Sequence, residues 1–151
     1  MKRHLNICIR IEETIGKIYQ KLAESNLVSD QVRKVLSELA EEEDDHADQL
    51  RFALRFPEDT VVKSLPDMLA QAQRLLEHAE KILLKIGQNQ ADDQRAVAIG
   101  IELEKKFCQA HIAQSFQFTD KSLERMFAAM AKADENHCQR LLDLKKSLSQ
   151  A

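Results

Sequence analysis

Apolar side chains recur three or four positions apart along most of the 151 residues, which is the spacing of one face of an α-helix. Proline, glycine and short polar segments interrupt this pattern, so that the sequence predicts five helices. The predicted helices run over residues 5–24, from Ser29 or Asp30 to Phe56, over residues 66–87, from Asp92 or Asp93 to Phe118, and from Thr119 or Asp120 to Leu148. Pro57 is expected to end the second helix.

The lengths of the connections predict how these helices are arranged. Short polar loops join the first helix to the second and the fourth to the fifth, so we expect two antiparallel hairpins. The third helix, about 32 Å long at 1.5 Å per residue, is long enough to return along a neighbour and link them. We therefore expect an all-α fold with one domain over residues 1–151, a four-helix bundle whose hairpins are joined by a long crossover containing an extra helix.

Two polar residues interrupt the apolar face of the second helix. Leu36, Leu39, Glu43, His46 and Leu50 are three or four positions apart and share that face, so Glu43 and His46 are expected to point inward. A carboxylate without a partner in a dry interior costs roughly several kcal/mol. A metal ion is the natural compensation.

The pattern around Glu43 and His46 returns about ninety residues later. Residues 130–137 align with residues 39–46, which places Asp134 on Glu43 and His137 on His46. The other two bundle helices each contribute one inward carboxylate. The repeat therefore predicts six metal ligands: Glu12, Glu43, His46, Glu104, Asp134 and His137. No catalytic side chain is predicted beyond them.

Four carboxylates and two imidazoles from four helices can hold two metal ions. Oxygen-rich ligand sets with one imidazole per ion favour iron or manganese, and zinc also binds them, so two iron ions are our first expectation. Without metal, desolvation and mutual repulsion are expected to raise the pKa of the four carboxylates.

Composition and charge exclude several other classes of protein. With 44% apolar residues, three glycines and two prolines, the chain suits a helical globular domain. Its net charge of −3 and the lack of a basic cluster argue against nucleic-acid binding. The amino terminus resembles neither a signal peptide nor a membrane span, so we expect a cytoplasmic protein without a membrane partner. Three cysteines without a Cys-x-x-Cys pair exclude a disulfide scaffold.

Four motifs in this order resemble the rubrerythrin-like branch of the ferritin-like superfamily. They are Glu12 with Tyr19 seven residues later, Leu39-Ala-x-x-Glu43-x-x-His46, Glu104 within Ile-Glu-Leu-Glu-Lys, and Ala131-x-x-Asp134-x-x-His137. The resemblance covers nearly the whole chain and implies a ferritin-like bundle with a di-iron centre. It also implies that Glu12 and Glu104 are terminal ligands, that Glu43 and Asp134 bridge, and that each histidine binds one metal ion.

Three departures from the family limit what the resemblance implies. Asp134 replaces the usual glutamate, and its shorter arm is expected to lengthen or remove one bridging contact. Phe107 stands where peroxide-reducing rubrerythrins usually carry another carboxylate, which weakens the case for a peroxidase. No rubredoxin-like tail is present in this sequence, so electrons are expected from an external donor.

Two functions remain open. The first is a di-iron oxidoreductase of peroxidase or ferroxidase type, which acts on O2 or peroxide or oxidises Fe(II) with an external electron donor. The second is a metal-binding bundle for iron handling or partner contact without turnover of its own. A homodimer is compatible with either.

Several other side chains carry weaker expectations. We interpret Tyr19 as a core-edge aromatic whose hydroxyl has a partner rather than as a redox residue, and His4 as solvent-facing. His111 either contacts a metal ligand or faces solvent, and we favour the solvent-facing position. Cys8 and Cys108 lie four residues before Glu12 and four residues after Glu104, so we expect both thiols in one layer of the core. A disulfide between them that feeds electrons to the metals is the sharper hypothesis.

Overall fold

The computed structural model of the chain describes residues 1–56, 65–115 and 118–150. These residues contain five helices and no β-strand. The helices are α1 (Lys2–Ala23), α2 (Asp30–Ala53), α3 (Leu65–Gln88), α4 (Asp93–Ser115) and α5 (Lys121–Gln150). The predicted all-α fold is confirmed.

Three of the predicted helix starts are confirmed by capping bonds. The Ser29 hydroxyl accepts a hydrogen bond from the Val32 N–H at 3.4 Å. The carboxylates of Asp92 and Asp120 accept backbone N–H bonds at the starts of α4 and α5. Each cap pairs an N–H group that the first turn of a helix leaves without a partner.

The second helix ends three residues earlier than the sequence predicted. α2 ends at Ala53 rather than Phe56, because the N–H groups of Arg55 and Phe56 bond to carbonyls three residues back, which tightens the last turn. The described part of α4 reaches Ser115, and the two residues before its predicted end at Phe118 lie outside the described residues. Pro57, the expected stop for α2, lies outside the described residues.

The packing follows the predicted hairpins. α1 packs most extensively on α2, and α4 on α5, while α3 lies mainly against α1. α2 also contacts α5, and α1 contacts α4, which closes the bundle. The apolar stripe of α2 is fully buried, with Leu36, Leu39 and Leu50 each at 0% exposure. Burying such a side chain stabilises the fold by about 1.5–3 kcal/mol. No helix in the described part of the chain is long and apolar enough to cross a bilayer.

Gly100 lets α4 approach its neighbours closely. A Cβ atom at this position would lie 2.8 Å from Leu141 Cδ1 and 3.3 Å from Tyr19 Cε1, whereas a Cβ at Gly87 would meet nothing within 4 Å. Gly100→Ala is therefore expected to lower the free energy of unfolding by about 1 kcal/mol, because overpacking outweighs the gain in helix propensity. Gly87→Ala, the matched control, is expected to raise it by up to about 1 kcal/mol. Urea unfolding of both variants measures the difference, and equal effects would contradict the close packing.

Candidate metal centre

The structure buries all six predicted ligands between the two hairpins. Glu12 lies on α1, Glu43 and His46 on α2, Glu104 on α4, and Asp134 and His137 on α5, and none is more than 5% exposed. The inward direction predicted from the helical spacing is therefore confirmed for each of them. Whether each binds metal stays a prediction.

Five of the six residues form two clusters that share one carboxylate. Glu12, Glu43 and His46 each offer a ligand atom within 4.8 Å of the others, and so do Glu43, Glu104 and His137. Glu43 belongs to both clusters. Asp134 belongs to neither.

The two oxygens of Glu43 face the two imidazoles. Glu43 Oε2 lies 3.1 Å from His46 Nδ1, and Glu43 Oε1 lies 3.3 Å from His137 Nδ1. The two imidazole rings lie nearly parallel with their centroids 5.7 Å apart. This is the placement that a carboxylate bridging two ions requires, with one oxygen and one imidazole for each ion.

Some buried atoms of the site that could bind a metal ion have no hydrogen-bond partner among the described residues. They are both oxygens of Glu12 and Nδ1 of His137. Imidazole nitrogens lie 3.3 and 3.5 Å from the Glu12 oxygens, but they are not directed for hydrogen bonding. Buried polar atoms are rarely left unpaired. The unpaired atoms and the donor set, oxygen-rich with one imidazole per cluster, fit two metal ions.

A known protein family matches most of the chain. The rubrerythrin family model matches residues 4–145. The chain belongs to the rubrerythrin family. No curated protein matches the chain, and no solved structure does. The match includes all six candidate ligands and most of each helix that carries them, so the predicted ferritin-like bundle and the resemblance are both confirmed. The family and the two clusters together support a metal-binding carboxylate protein of the di-iron kind.

The imidazole of His137 in this rubrerythrin site is oriented by Glu42, which is itself paired with Arg140. His137 Nε2 lies 2.8 Å from Glu42 Oε2, and Arg140 donates to Glu42 and Glu38 at 2.6 Å. Because its Nε2–H is donated to Glu42, the ring directs Nδ1 towards Glu43 and Glu104. Metal-binding histidines are commonly held in this way by a carboxylate.

Tyr19 has the hydroxyl partner that we expected. Its side chain is fully buried and its hydroxyl donates to Glu104 Oε1. Glu104 Oε2 lies on the other side, 3.5 Å from His137 Nδ1. Tyr19 thus leaves the second oxygen of Glu104 directed at the centre of the site.

The favoured, solvent-facing position of His111 is wrong, and the alternative of a side chain that contacts a candidate ligand agrees with the structure. This side chain is 3% exposed rather than solvated, with Nδ1 2.8 Å from Asp134 Oδ2 and Nε2 3.3 Å from Glu12 Oε1. Its contacts are with other helices, which the pattern along α4 does not reveal. A signal was nevertheless present, since His111 follows Glu104 by seven residues, as Tyr19 follows Glu12.

His4 is also buried, at 1% exposure, and our expectation of a surface position is wrong. Its Nε2 lies 3.4 Å from Cys8 Sγ, and its ring lies 6.4 Å from that of Phe127. Burial lowers the pKa of His4 to about 4, so that it packs as a neutral side chain.

The imidazoles supply positive charge to the site when it is free of metal. Burial opposes protonation, but the adjoining carboxylates raise the pKa of His46 and His137 to about 11. Burial also lowers the pKa of His111, but the carboxylates of Asp134 and Glu12 raise it to about 10.

The pKa values of two candidate ligands move in opposite directions. Burial raises the pKa of Glu104 to about 8, as we expected for the metal-free protein. The expectation is wrong for Glu12, whose pKa is about 2, because the nearby imidazoles of His111 and His46 outweigh the effect of burial. Imidazolium groups therefore offset part of the carboxylate repulsion in the metal-free site.

Cys8 and Cys108 do not share a layer of the core. The Cys8 thiol donates to Gln114 Oε1 at 3.8 Å, and the Cys108 thiol donates to the Ala131 carbonyl of α5 at 3.4 Å. Gln114 is six residues beyond Cys108, or about 9 Å along α4. Both cysteines are free thiols. The predicted layer is therefore wrong, because Glu12 lies level with His111 rather than with Glu104.

A cavity between α4 and α5 reaches one of the candidate ligands. It has a volume of about 380 Å³ and is open to solvent. Its lining residues are Glu104, Lys105, Cys108, Gln109, Glu135, Cys138, Gln139 and Leu142. A cavity of about 570 Å³ between α2 and the start of α5 contains none of the six candidate ligands. The smaller cavity is thus the better route for a small molecule to the site.

Proposed function

We propose that the protein is a non-haem di-iron oxidoreductase that acts on O2 or peroxide with electrons from an external donor. The observation that carries this proposal is the position of Glu43, whose two oxygens face His46 and His137. One ion would be held by Glu12, Glu43 and His46, and the other by Glu43, Glu104 and His137. The donor set also accepts manganese or zinc, and iron is the member of this group that the family favours.

The chemistry divides between the metals and the chain. When bound, two iron ions can together supply two electrons to a small oxidant. Tyr19 holds Glu104 through a buried hydrogen bond, and Glu42 holds His137 through a partly buried one. The fully buried side chains of Leu36, Leu39 and Phe127 keep water from the interior around the site. Such preorganisation lets ligands act without rearrangement at the moment of reaction.

The cavity between α4 and α5 supports access by a small molecule. Glu104 is 3% exposed and lines this cavity, so an oxidant entering there would approach the ion held by Glu104 and His137. The cysteines Cys108 and Cys138 line the same cavity and are each partly buried. O2 and peroxide are small enough for this space.

One observation favours the second function, a metal-binding bundle without turnover. Phe107, which stands in place of the extra carboxylate of peroxide-reducing rubrerythrins, is 2% exposed and packs in the core. No carboxylate on that turn of α4 is therefore available to move protons at the site.

Turnover separates the two functions. The protein is loaded anaerobically with two Fe(II) per chain, and O2 or peroxide is added in separate arms with excess ascorbate as the electron donor. The proposal predicts that oxidant consumption continues beyond about ten equivalents per chain in at least one arm. Consumption that stops at one equivalent per two iron ions in both arms would contradict the enzyme and support the binding role. A Glu41→Gln variant, altered at an exposed neighbour of the site, is expected to behave as the wild type.

A further inference from the structure

The two halves of the centre are linked by a reciprocal pair of contacts. Tyr19 follows Glu12 by seven residues on α1, and its hydroxyl reaches across to Glu104 on α4. His111 follows Glu104 by seven residues on α4, and its Nε2 reaches back to within 3.3 Å of Glu12 on α1. Seven residues are close to two helical turns, so each partner lies on the same face as the glutamate of its own helix. Each of these two glutamates therefore has a polar neighbour supplied by the other hairpin, hydrogen-bonded in the case of Glu104.

The two partners differ in how many carboxylates they can engage. A tyrosine hydroxyl has one proton, and Tyr19 donates it to Glu104. An imidazole has two nitrogens on different sides of its ring, and His111 uses the second one, Nδ1, at 2.8 Å from Asp134 Oδ2. The ring of Phe127 lies edge-on to the His111 ring, with centroids 6.0 Å apart. At 3% exposure, the imidazole is enclosed between Glu12 on α1 and Asp134 on α5.

Asp134 and Glu43 occupy equivalent positions in the internal repeat but different positions in the site. Glu43 contributes to both ligand clusters, whereas Asp134 contributes to neither. The aspartate side chain is shorter by one methylene group, and one of its oxygens is engaged by His111. A charged hydrogen bond of this length in a buried setting is among the stronger contacts of a protein. The asymmetry between Glu43 and Asp134 thus coincides with the presence of His111 beside Asp134.

We propose that His111 is a positioning residue that holds Asp134 away from the metal positions, so that Glu43 alone bridges the two ions. This inference rests on the proposed di-metal function. It deepens that proposal by giving the two carboxylates of the repeat different roles: Glu43 is a ligand of both ions, and Asp134 is the anionic partner of His111. The other nitrogen of the imidazole, Nε2, lies 3.3 Å from Glu12 Oε1.

A double-mutant cycle between His111 and Asp134 tests this inference, because it isolates the coupling between two side chains. Anaerobic Fe(II) titration counts the bound ions and gives their dissociation constants for the wild type, Asp134→Asn, His111→Phe and the double variant. In the wild-type background, Asp134→Asn is expected to leave two ions bound and to change both dissociation constants by less than about 3-fold. In the His111→Phe background, Asp134 is no longer held by the imidazole and can bind metal. The same change is then expected to raise the dissociation constant of one ion by about 10–100-fold.

The conservative variant His111→Gln controls for packing. Its amide can still donate to Asp134, so Asp134→Asn is expected to have the same small effect in the His111→Gln background as in the wild type. A merely structural role of His111 would alter melting temperature without making the effect of Asp134→Asn depend on residue 111.

Three results would overturn the positioning role. The first is loss of one ion in Asp134→Asn alone, which can be measured even if His111→Phe does not fold. The second is an equal effect of Asp134→Asn in the wild-type and His111→Phe backgrounds. The third is a large effect in the His111→Gln background. Wild-type protein that binds no Fe(II) would instead refute the proposed function, so that the two failures are distinguishable.

Discussion

Glu43→Gln is expected to remove both metal ions from the protein. The two oxygens of Glu43 face His46 and His137, and Glu43 is the residue common to the two ligand clusters. A neutral amide of the same size takes the anionic ligand away from both positions at once. The cost should exceed the roughly 10–100-fold loss of affinity that follows removal of an outer partner. Iron content after anaerobic reconstitution should therefore fall from about two ions per chain to less than about 0.5.

Glu41→Gln is the matched control for this variant. Glu41 lies on α2, two residues from Glu43, and carries the same charge, but its side chain is exposed. The control should retain both ions. If Glu43→Gln still bound two ions, the bridging position would be wrong. If it bound one, Glu43 would be a ligand of a single ion.

Removal of metal is expected to lower the melting temperature by about 10–20 °C. A ligand at 100 times its dissociation constant stabilises the folded state by about 2.7 kcal/mol, and two ions would supply about twice that. For a chain of this size, 1 kcal/mol corresponds to roughly 2–4 °C. Calorimetry of the protein with and without bound iron measures the difference.

The metal-free protein should nevertheless remain folded, because the site is partly compensated without metal. The imidazoles of His46, His111 and His137 have raised pKa values and stay charged beside the carboxylates at neutral pH. Equal melting temperatures with and without iron would contradict the coupling between binding and stability. Complete unfolding on metal removal would contradict the compensation by the three imidazoles.

The site is predictable from the sequence because its signals lie along single helices. Glu43 and His46 are three residues apart on a face that otherwise carries leucine, and the same spacing recurs at Asp134 and His137. A charged residue on an apolar stripe is visible from helical periodicity alone. Because the same spacing of carboxylate and histidine occurs in both halves of the repeat, it is unlike a charged residue that falls on an apolar stripe by chance.

The residues that sequence reasoning placed wrongly are defined by contacts between helices. His111 was expected in solvent because nothing along α4 indicates that Glu12 and Asp134 lie opposite it. The thiols of Cys8 and Cys108 were expected in one layer because that expectation assumes that Glu12 on α1 and Glu104 on α4 lie side by side. In the structure, Glu12 lies level with His111, and Tyr19 lies level with Glu104. The relative shift of two packed helices depends on how their side chains interdigitate, which periodicity does not specify.

The metal content of the reconstituted wild-type protein tests the central claim most directly. The protein is purified without chelator, reduced, loaded anaerobically with excess Fe(II), passed over a desalting column and analysed for iron against protein concentration. The two ligand clusters predict about two iron ions per chain. Fewer than about 0.5 ions per chain would contradict a di-iron centre built from Glu12, Glu43, His46, Glu104 and His137.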